Sequence, residues 1–371
     1  MSKDTVRIAV LGAAGFSEEG HFPGIRSHPN AETVALFSRN LERARDMAAR
    51  NDVPEATDDL DALLARDDID AVTIVSANDQ HHPYTMAALA RGKHVLCEKP
   101  MALNAKEARE MAREAKKRGV VNHIAFTFRY TYCIEELRRR VSAGDIGTPH
   151  FVEIQGQWYS RLLFGEVAAS WRDDPSQYGP GHLGEMGSHF IDTINYTCGP
   201  TSGFIAEVAG VALPGPRPPG SPSTIDLASF LVRTERGLAG QVLASRATAL
   251  PVAYGVIHAG EPHSGHMGYV IVSGNKGALM STFTRGEVEA LHLFEPGKGW
   301  QKQELAAEAA DGKPHGVERM VHAFIDAVLG QRATPDIDAT FEDGFRCQAA
   351  MDAVVAGTES RRWEPVATAS D

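Results

Sequence analysis

Residues 6–15 read Val6-Arg7-Ile8-Ala9-Val10-Leu11-Gly12-Ala13-Ala14-Gly15. An apolar run broken only by Arg7 stops at a glycine-bounded turn, followed by Phe16-Ser17-Glu18-Glu19-Gly20-His21-Phe22-Pro23. Between a first strand and a first helix, such a turn lets backbone N–H groups approach a pyrophosphate. The helix N-terminus favours the same negative charge. The usual spacing is G-x-G-x-x-G. Here Ala14 takes the second glycine position beside Gly12 and Gly15, and the stretch before His21 is one residue long for that pattern. A tight corner would read the same way in isolation, so the surrounding elements decide.

Those elements alternate. Val6–Leu11, Thr33–Phe37, Ala71–Ser76, His94–Leu96 and Val120–Phe126 are brief, apolar and bounded by polar residues or glycine, as buried strands are. Between them the spacing predicts helices over Leu41–Arg50 after an Asn40 cap, Pro83–Arg91 before Gly92, and Ala105–Arg118 before Gly119. Asn104 with Glu107 forms a capping box. Strands joined through helices need crossover connections, hence a parallel sheet covered on both faces. Residues 1–125 are therefore expected to form an α/β dinucleotide-binding domain. From residue 126 the texture changes to longer alternating runs, Phe151–Tyr159, Leu227–Val232, Leu238–Ser245 and Val270–Ser273, which suit an antiparallel sheet with one wet face. Val211–Thr224 cannot hold a ladder and reads as a loop, and helices return at Gly316–Leu329 and Phe341–Ala356. Residues 126–371 are thus expected to form an α+β domain.

The end of the second strand bears on the cofactor. NAD binders place a carboxylate there for the ribose 2′-OH, roughly 20 residues past the turn. This chain has Phe37-Ser38-Arg39-Asn40. A hydroxyl and a guanidinium suit a 2′-phosphate, so NADP is favoured and NAD remains possible.

Composition narrows the partners. The chain has 371 residues, 43% hydrophobic and 23% charged, with a formal net charge of −11. That sign repels phosphate backbones and anionic lipid, so neither nucleic acid nor membrane is expected as a partner. Cys97, Cys133, Cys198 and Cys347 are scattered, with no Cys-x-x-Cys pair. A reducing cytoplasm is expected, and the first apolar run is too short for a secretion signal.

Two stretches carry a family resemblance: Ser76-Ala77-Asn78-Asp79-Gln80-His81, and Gly92-Lys93-His94-Val95-Leu96-Cys97-Glu98-Lys99-Pro100. With them go His21-Phe22-Pro23, Trp171-Arg172-Asp173-Asp174-Pro175, the segment Gly181–Asp192 containing Glu185, Gly187-Ser188-His189 and Asp192, and near the end Phe341–Arg346 and Arg361-Arg362-Trp363. The chain resembles the Gfo/Idh/MocA oxidoreductases over nearly its whole length. The resemblance implies an N-terminal Rossmann domain, a C-terminal domain on a mostly antiparallel open sheet, and a nicotinamide cofactor between them. It also implies a carbohydrate or cyclitol substrate and a homo-oligomer, dimer or tetramer, formed through the sheet's outer face.

The expected chemistry follows. Lys99, just past a buried strand's carboxyl end, is placed to donate to the reacting oxygen, with Glu98 positioning it or the cofactor. His189 is the expected proton acceptor, its ordinary pKa near 6.5 suiting neutral pH. Glu185 lies four residues earlier, on the same face if the segment is α-helical, and can orient the imidazole or touch substrate. The family usually has Asp at that position. Gly12, Ala14, Gly15, Ser38, Arg39, Ser76, Asn78, His81, Glu98, Lys99 and Arg172 are the expected cofactor contacts. Asp192, Trp158, Tyr159 and Trp171 are the expected substrate contacts, and Tyr178 is another aromatic that could face a sugar ring. His258, His263 and His266 lie in a glycine-rich stretch with no closed zinc spacing, so no metal is expected. Two alternatives stay open: a redox-neutral enzyme with retained NAD(H), and a non-catalytic nucleotide sensor that kept the fold.

Overall fold

The structure is a computed structural model that describes residues 5–158, 174–209, 224–246, 266–284, 290–305, 316–331 and 337–368. It divides into two compact units, Met1–Thr131 with Pro314–Gln348, and Tyr132–Lys313 with Ala349–Asp371.

The first unit carries β1 (Val6–Leu11), α1 (Phe22–Ser27), β2 (Ala31–Phe37), α2 (Leu41–Arg50), β3 (Ala56–Thr57), α3 (Leu60–Leu64), β4 (Ala71–Ile74), α4 (His81–Ala90), β5 (His94–Cys97), α5 (Ala105–Arg118) and β6 (Asn122–Ile124). All six strands pair in parallel, in the order β3-β2-β1-β4-β5-β6. Ile8, Ala9, Val10 and Leu11 are fully buried, as a strand covered on both faces must be. The order reverses between β1 and β4, the kind of switch point beside which open α/β sheets bind ligands.

Local chemistry sets the helix ends. The Asn40 side chain accepts from Arg43 N–H at the head of α2. At α5, Asn104 accepts from Glu107 N–H, while the Glu107 carboxylate reaches back to the Leu103 N–H at 3.1 Å. The box therefore closes on the residue before the cap. Gly119 ends α5 in the left-handed region at φ +64°.

Residues 314–348 return to this unit, where the sequence suggests a single cut near residue 125. The reason is packing. The helix Val317–Leu329 lies against α1 so closely that a Cβ on Gly20 would sit 2.8 Å from Val317, and one on Gly24 2.9 Å from Val321. Buried Arg129 holds Asp343 at 3.2 Å and donates to the Asp338 carbonyl at 3.2 Å, while Phe341 N–H reaches the Asn122 side chain.

The second unit holds α6 (Tyr132–Ala143), β7 (Pro149–Trp158), the single turn α7 (Pro175–Tyr178), α8 (Ser188–Cys198), β8 (Thr201–Ala209), β9 (Leu227–Thr234), β10 (Ala239–Ser245), β11 (His266–Gly274), β12 (Ala278–Thr284), β13 (Ala290–Glu295), β14 (Gly299–Gln303) and β15 (Glu364–Pro365). Among the described residues nine strands make one sheet in the order β14-β13-β12-β11-β7-β10-β9-β8-β15. Only β7 and β10 pair in parallel; the other pairings are antiparallel. Along β9 buried and exposed residues alternate strictly from Ala228 to Thr234. The inner face, with Val152, Ile154, Val232 and Val272, is buried, as are Leu137 of α6 and Phe190 and Ile194 of α8. Leu231 on the other face is 48% exposed. The loop expected over Val211–Thr224 falls outside the described residues except for Thr224.

Candidate active site

Gly12 makes the first turn possible. Its φ is +131°, and a Cβ there would lie 2.1 Å from the Val75 carbonyl oxygen, so only glycine lets β1 turn against the end of β4. Ser17 donates its hydroxyl to the Gly12 carbonyl at 2.7 Å, bracing the turn from behind. Around Gly15 the space is open: a Cβ would meet nothing closer than Glu19 Oε1 at 3.8 Å. Ala14 is half-buried and Gly15 exposed. A glycine required by sterics, an open glycine beyond it and a position at the switch point together fit a dinucleotide pyrophosphate. The extra residue before His21 is absorbed by a π turn, Ser17–His21, that runs directly into α1.

At the end of β2, Ser38 is half-buried and accepts from Asn40 N–H at 3.2 Å, leaving its own hydroxyl proton to donate elsewhere. Arg39 is exposed. Burial raises the pKa of the Tyr84 phenol, and the charge of Arg39 works against that shift. Tyr84 itself stands edge-on to Phe37, with ring centroids 5.5 Å apart.

The turn after β5 is held from two sides. Glu98 is buried and its N–H donates to the Ile74 carbonyl. Its Oε1 lies 3.0 Å from His21 Nε2, and its Oε2 accepts from Lys99 N–H at 3.3 Å. His21 is fully buried, and among the described residues its Nδ1 has no hydrogen-bond partner. A proton on Nδ1 would be a stranded donor costing about 1–3 kcal/mol, so the proton belongs on Nε2, facing the carboxylate. Lys99 is half-buried and joined to Pro100 by a cis peptide bond.

His81 grips the far side of the turn. Its Nδ1 lies 2.7 Å from the Pro100 carbonyl and its Nε2 3.3 Å from that of Ser76. Burial pushes the ring's pKa below its ordinary value, with the Pro100 carbonyl acting the other way. The sequence reading places His81 among the cofactor contacts; in the structure both ring nitrogens face backbone carbonyls, and the single N–H of the neutral ring belongs on Nδ1, the shorter contact, where it donates to Pro100 and ties α4 to the turn after β5. Ser76 is half-buried and Asn78 buried beside it.

In the second unit Gly181 takes φ +59°, where a Cβ would strike the Ile225 carbonyl at 2.6 Å. His182 N–H then donates to that same carbonyl. A π turn, Leu183–Gly187, follows and leads into α8. Glu185 thus lies in the π turn and His189 in the first turn of the α-helix that follows, where the sequence spacing assumes α-helix throughout. Glu185 is 29% exposed at its side chain. Its Oε2 accepts the Tyr178 hydroxyl proton and lies 3.4 Å from His182 Nδ1. His189 and Asp192 are buried in the first turns of α8.

Behind Tyr178 stands a buried ion pair absent from the sequence reading. Arg246 Nε lies 2.5 Å from Asp226 Oδ1, its Nη2 donates to Thr224 Oγ1 at 2.7 Å, and its guanidinium is 5.5 Å from the Tyr178 ring centroid. Tyr178 is buried, and its hydroxyl is committed to Glu185. The only sequence signal for this network is a charged pair flanking strand-like runs, which local patterning does not connect.

Trp158 closes β7, and its side chain is outside the description; Tyr159, Trp171, Arg172, His258 and His263 lie outside the described residues. His266 opens β11. Among the described residues no group of three or more His, Cys, Asp or Glu side chains is placed to hold a metal, and no helix is long and apolar enough to cross a membrane. The four cysteines are buried and unbridged.

Two models of known families match the chain. The oxidoreductase family with an NAD-binding Rossmann fold covers residues 6–126, and the GFO/IDH/MocA C-terminal domain covers residues 134–279. An uncharacterized oxidoreductase of Synechocystis is 27% identical over 97% of this chain and 95% of its own. D-glucoside 3-dehydrogenase of Escherichia coli is 29% identical over 54% of this chain and 56% of its own, and levoglucosan dehydrogenase of Pseudarthrobacter phenanthrenivorans 27% over 57% and 58%. The chain thus spans a little over half the length of these two named enzymes. Among solved structures, an oxidoreductase domain protein from Kribbella flavida superposes with a TM-score of 0.84 at 26% identity, covering 98% of this chain and 100% of that one. Levoglucosan dehydrogenase in complex with NADH and L-sorbose shares the fold at a TM-score of 0.86 and 22% identity, covering 99% and 100%. The two matched domains together take in well over half of the chain, which is a member of the GFO/IDH/MocA oxidoreductase family.

Proposed function

We propose that the protein is an NAD(P)-dependent dehydrogenase of a secondary hydroxyl on a sugar, cyclitol or sugar derivative. The observation that carries this reading is the Glu98-Lys99-Pro100 turn. It stands at the carboxyl end of β5, on the same edge of the parallel sheet as the turn that demands glycine at residue 12. A nicotinamide dinucleotide, when bound, supplies the hydride acceptor or donor. The backbone of Gly12, Ala14 and Gly15 would hold its pyrophosphate, and Ser76 and Asn78 line the next turn of that edge. Lys99 donates a hydrogen bond to the reacting oxygen, and His189 takes the hydroxyl proton. Glu185, fixed by Tyr178 and His182, orients the substrate or the imidazole, and Asp192 adds a polar contact. Relatives named for glucosides and levoglucosan support a carbohydrate as the substrate class.

NADP is the favoured cofactor. Arg39 is exposed at the end of β2, where no carboxylate stands to hold a ribose 2′-OH. The outer sheet face, with Leu231 and Trp300 exposed, supports a homo-oligomer, and buried thiols without bridges suit a reducing cytoplasm.

The test is absorbance at 340 nm with a sugar and cyclitol panel, using NAD and NADP in turn. Oxidation of at least one polyol is expected, with the lower KM for NADP. Lys99→Ala and His189→Ala should each cut kcat/KM by about a hundredfold or more while the thermal transition is kept. Near-normal turnover in either variant removes that residue from the mechanism, and a tenfold preference for NAD refutes the Arg39 assignment.

A further inference from the structure

We infer that His21 is a positioning residue for Lys99, acting through the Glu98 carboxylate. This rests on the reading of Lys99 as a catalytic group and adds a residue from the opposite end of the dinucleotide turn. His21 closes the π turn that begins at Ser17, and Ser17 is itself bonded to the Gly12 carbonyl. One five-residue segment therefore links the glycine turn to the carboxylate beside the lysine, across 77 positions of sequence.

The geometry gives each atom a task. The bare Nδ1 of His21 fixes the tautomer, so Nε2–H points at Glu98 Oε1 at 3.0 Å. Glu98 Oε2 is spent on the Lys99 amide N–H. With both oxygens engaged, the carboxylate is held in one orientation at the lysine's backbone. On the other side, His81 holds the Pro100 carbonyl at 2.7 Å. Two buried rings thus fix the residues before and after Lys99. Without the His21 donor, the buried carboxylate must find another hydrogen on its Oε1 side, and the Lys99 ammonium is a cation one residue away. Pairing there would draw the amine from its place and keep it protonated.

The test reads the amine directly, so that it does not depend on turnover. Enzyme without added nucleotide is treated with an amine-acylating reagent across a pH series. Modification of Lys99 is compared by peptide mass spectrometry with that of Lys276, an exposed lysine. In His21→Leu the Lys99 rate relative to Lys276 is expected to fall about threefold or more, equivalent to half a pH unit in the amine's titration. His21→Gln, whose amide N–H can still meet the carboxylate, should recover the rate. The double variant His21→Leu/Glu98→Gln should recover it too, because the effect runs through the charge on Glu98. An unchanged Lys99 rate in folded His21→Leu overturns the inference, and so does a double variant that stays slow. If His21→Leu does not fold, His21→Asn, too short to reach Glu98, takes its place with the same outcomes. A slowed Lys99 with wild-type kcat would uphold the coupling and instead remove Lys99 from the proposed chemistry.

Discussion

Glu185 carries one methylene more than the Asp usual for its family, and the structure shows where the extra length goes. The carboxylate accepts the Tyr178 hydroxyl proton and lies near His182, within the π turn that leads into the helix of His189. Tyr178 is in turn stacked under the Arg246 guanidinium, which is locked to Asp226. Removing only the phenolic oxygen therefore frees the carboxylate without opening a cavity. Tyr178→Phe is expected to lower kcat about tenfold or more with little change in sugar KM, about the strength of one hydrogen bond to a charged group. Steady-state kinetics on the best substrate from the panel measures it. A change in KM alone would place Glu185 in ground-state binding, and no change in either constant would set it apart from the chemistry.

The elements packed around α1 test whether the return of the chain to the first unit is structural. Gly24 leaves room for Val321 of the helix Val317–Leu329, and an added methyl would sit 2.9 Å from the valine Cβ. Gly24→Ala should cost about 1–3 kcal/mol, the usual penalty for overpacking. It should be largely relieved in Gly24→Ala/Val321→Gly, which removes the facing Cβ, a coupling that chemical denaturation of the four proteins in the cycle would reveal. Additive effects would mean that this contact does not fix the helix. The same contrast explains what was legible in the sequence. The cap at Asn40, the box at Asn104 and Glu107, and the glycine stop at Gly119 are local chemistry, so α2 and α5 match their expected limits. The π turn at 17–21 left only a trace, an extra residue before His21. The seating of Val317–Leu329 on α1 joins residues some 300 apart, and short-range periodicity carries no record of it. Likewise Lys99, His189 and Glu185 were visible as motifs, whereas the Asp226–Arg246 pair behind Tyr178 exists only after the strands are in register.

For the whole molecule the parallel sheet and the open sheet follow from two different burial patterns, continuous from Ile8 to Leu11 in β1 and alternating in β9, and both were readable before folding. Stability against pH is a property at this scale too, and the buried rings give it a sign. Burial lowers the pKa of His81, and burial followed by the charge of His28 lowers that of His322. The unfolded chain, with imidazoles near about 6.5, then binds protons that the folded chain refuses. The contribution of these rings is complete above that value. It drains away as pH falls through it toward the folded pKa values, below which no further loss comes from these rings. Asp343 adds a separate, more acidic step. Burial would raise its pKa, yet the Arg129 charge and the Thr340 backbone and hydroxyl bonds carry it below the ordinary value, so its share is kept above about pH 4 and lost beneath. Urea midpoints should therefore be flat from about pH 7 to 8, decline below about 6.5, and steepen again below about 4. In His81→Asn the decline below neutrality should be shallower than in the wild type even though the protein is weaker at every pH. An identical slope in the two proteins would show that His81 takes up its proton as readily inside the fold as in the open chain.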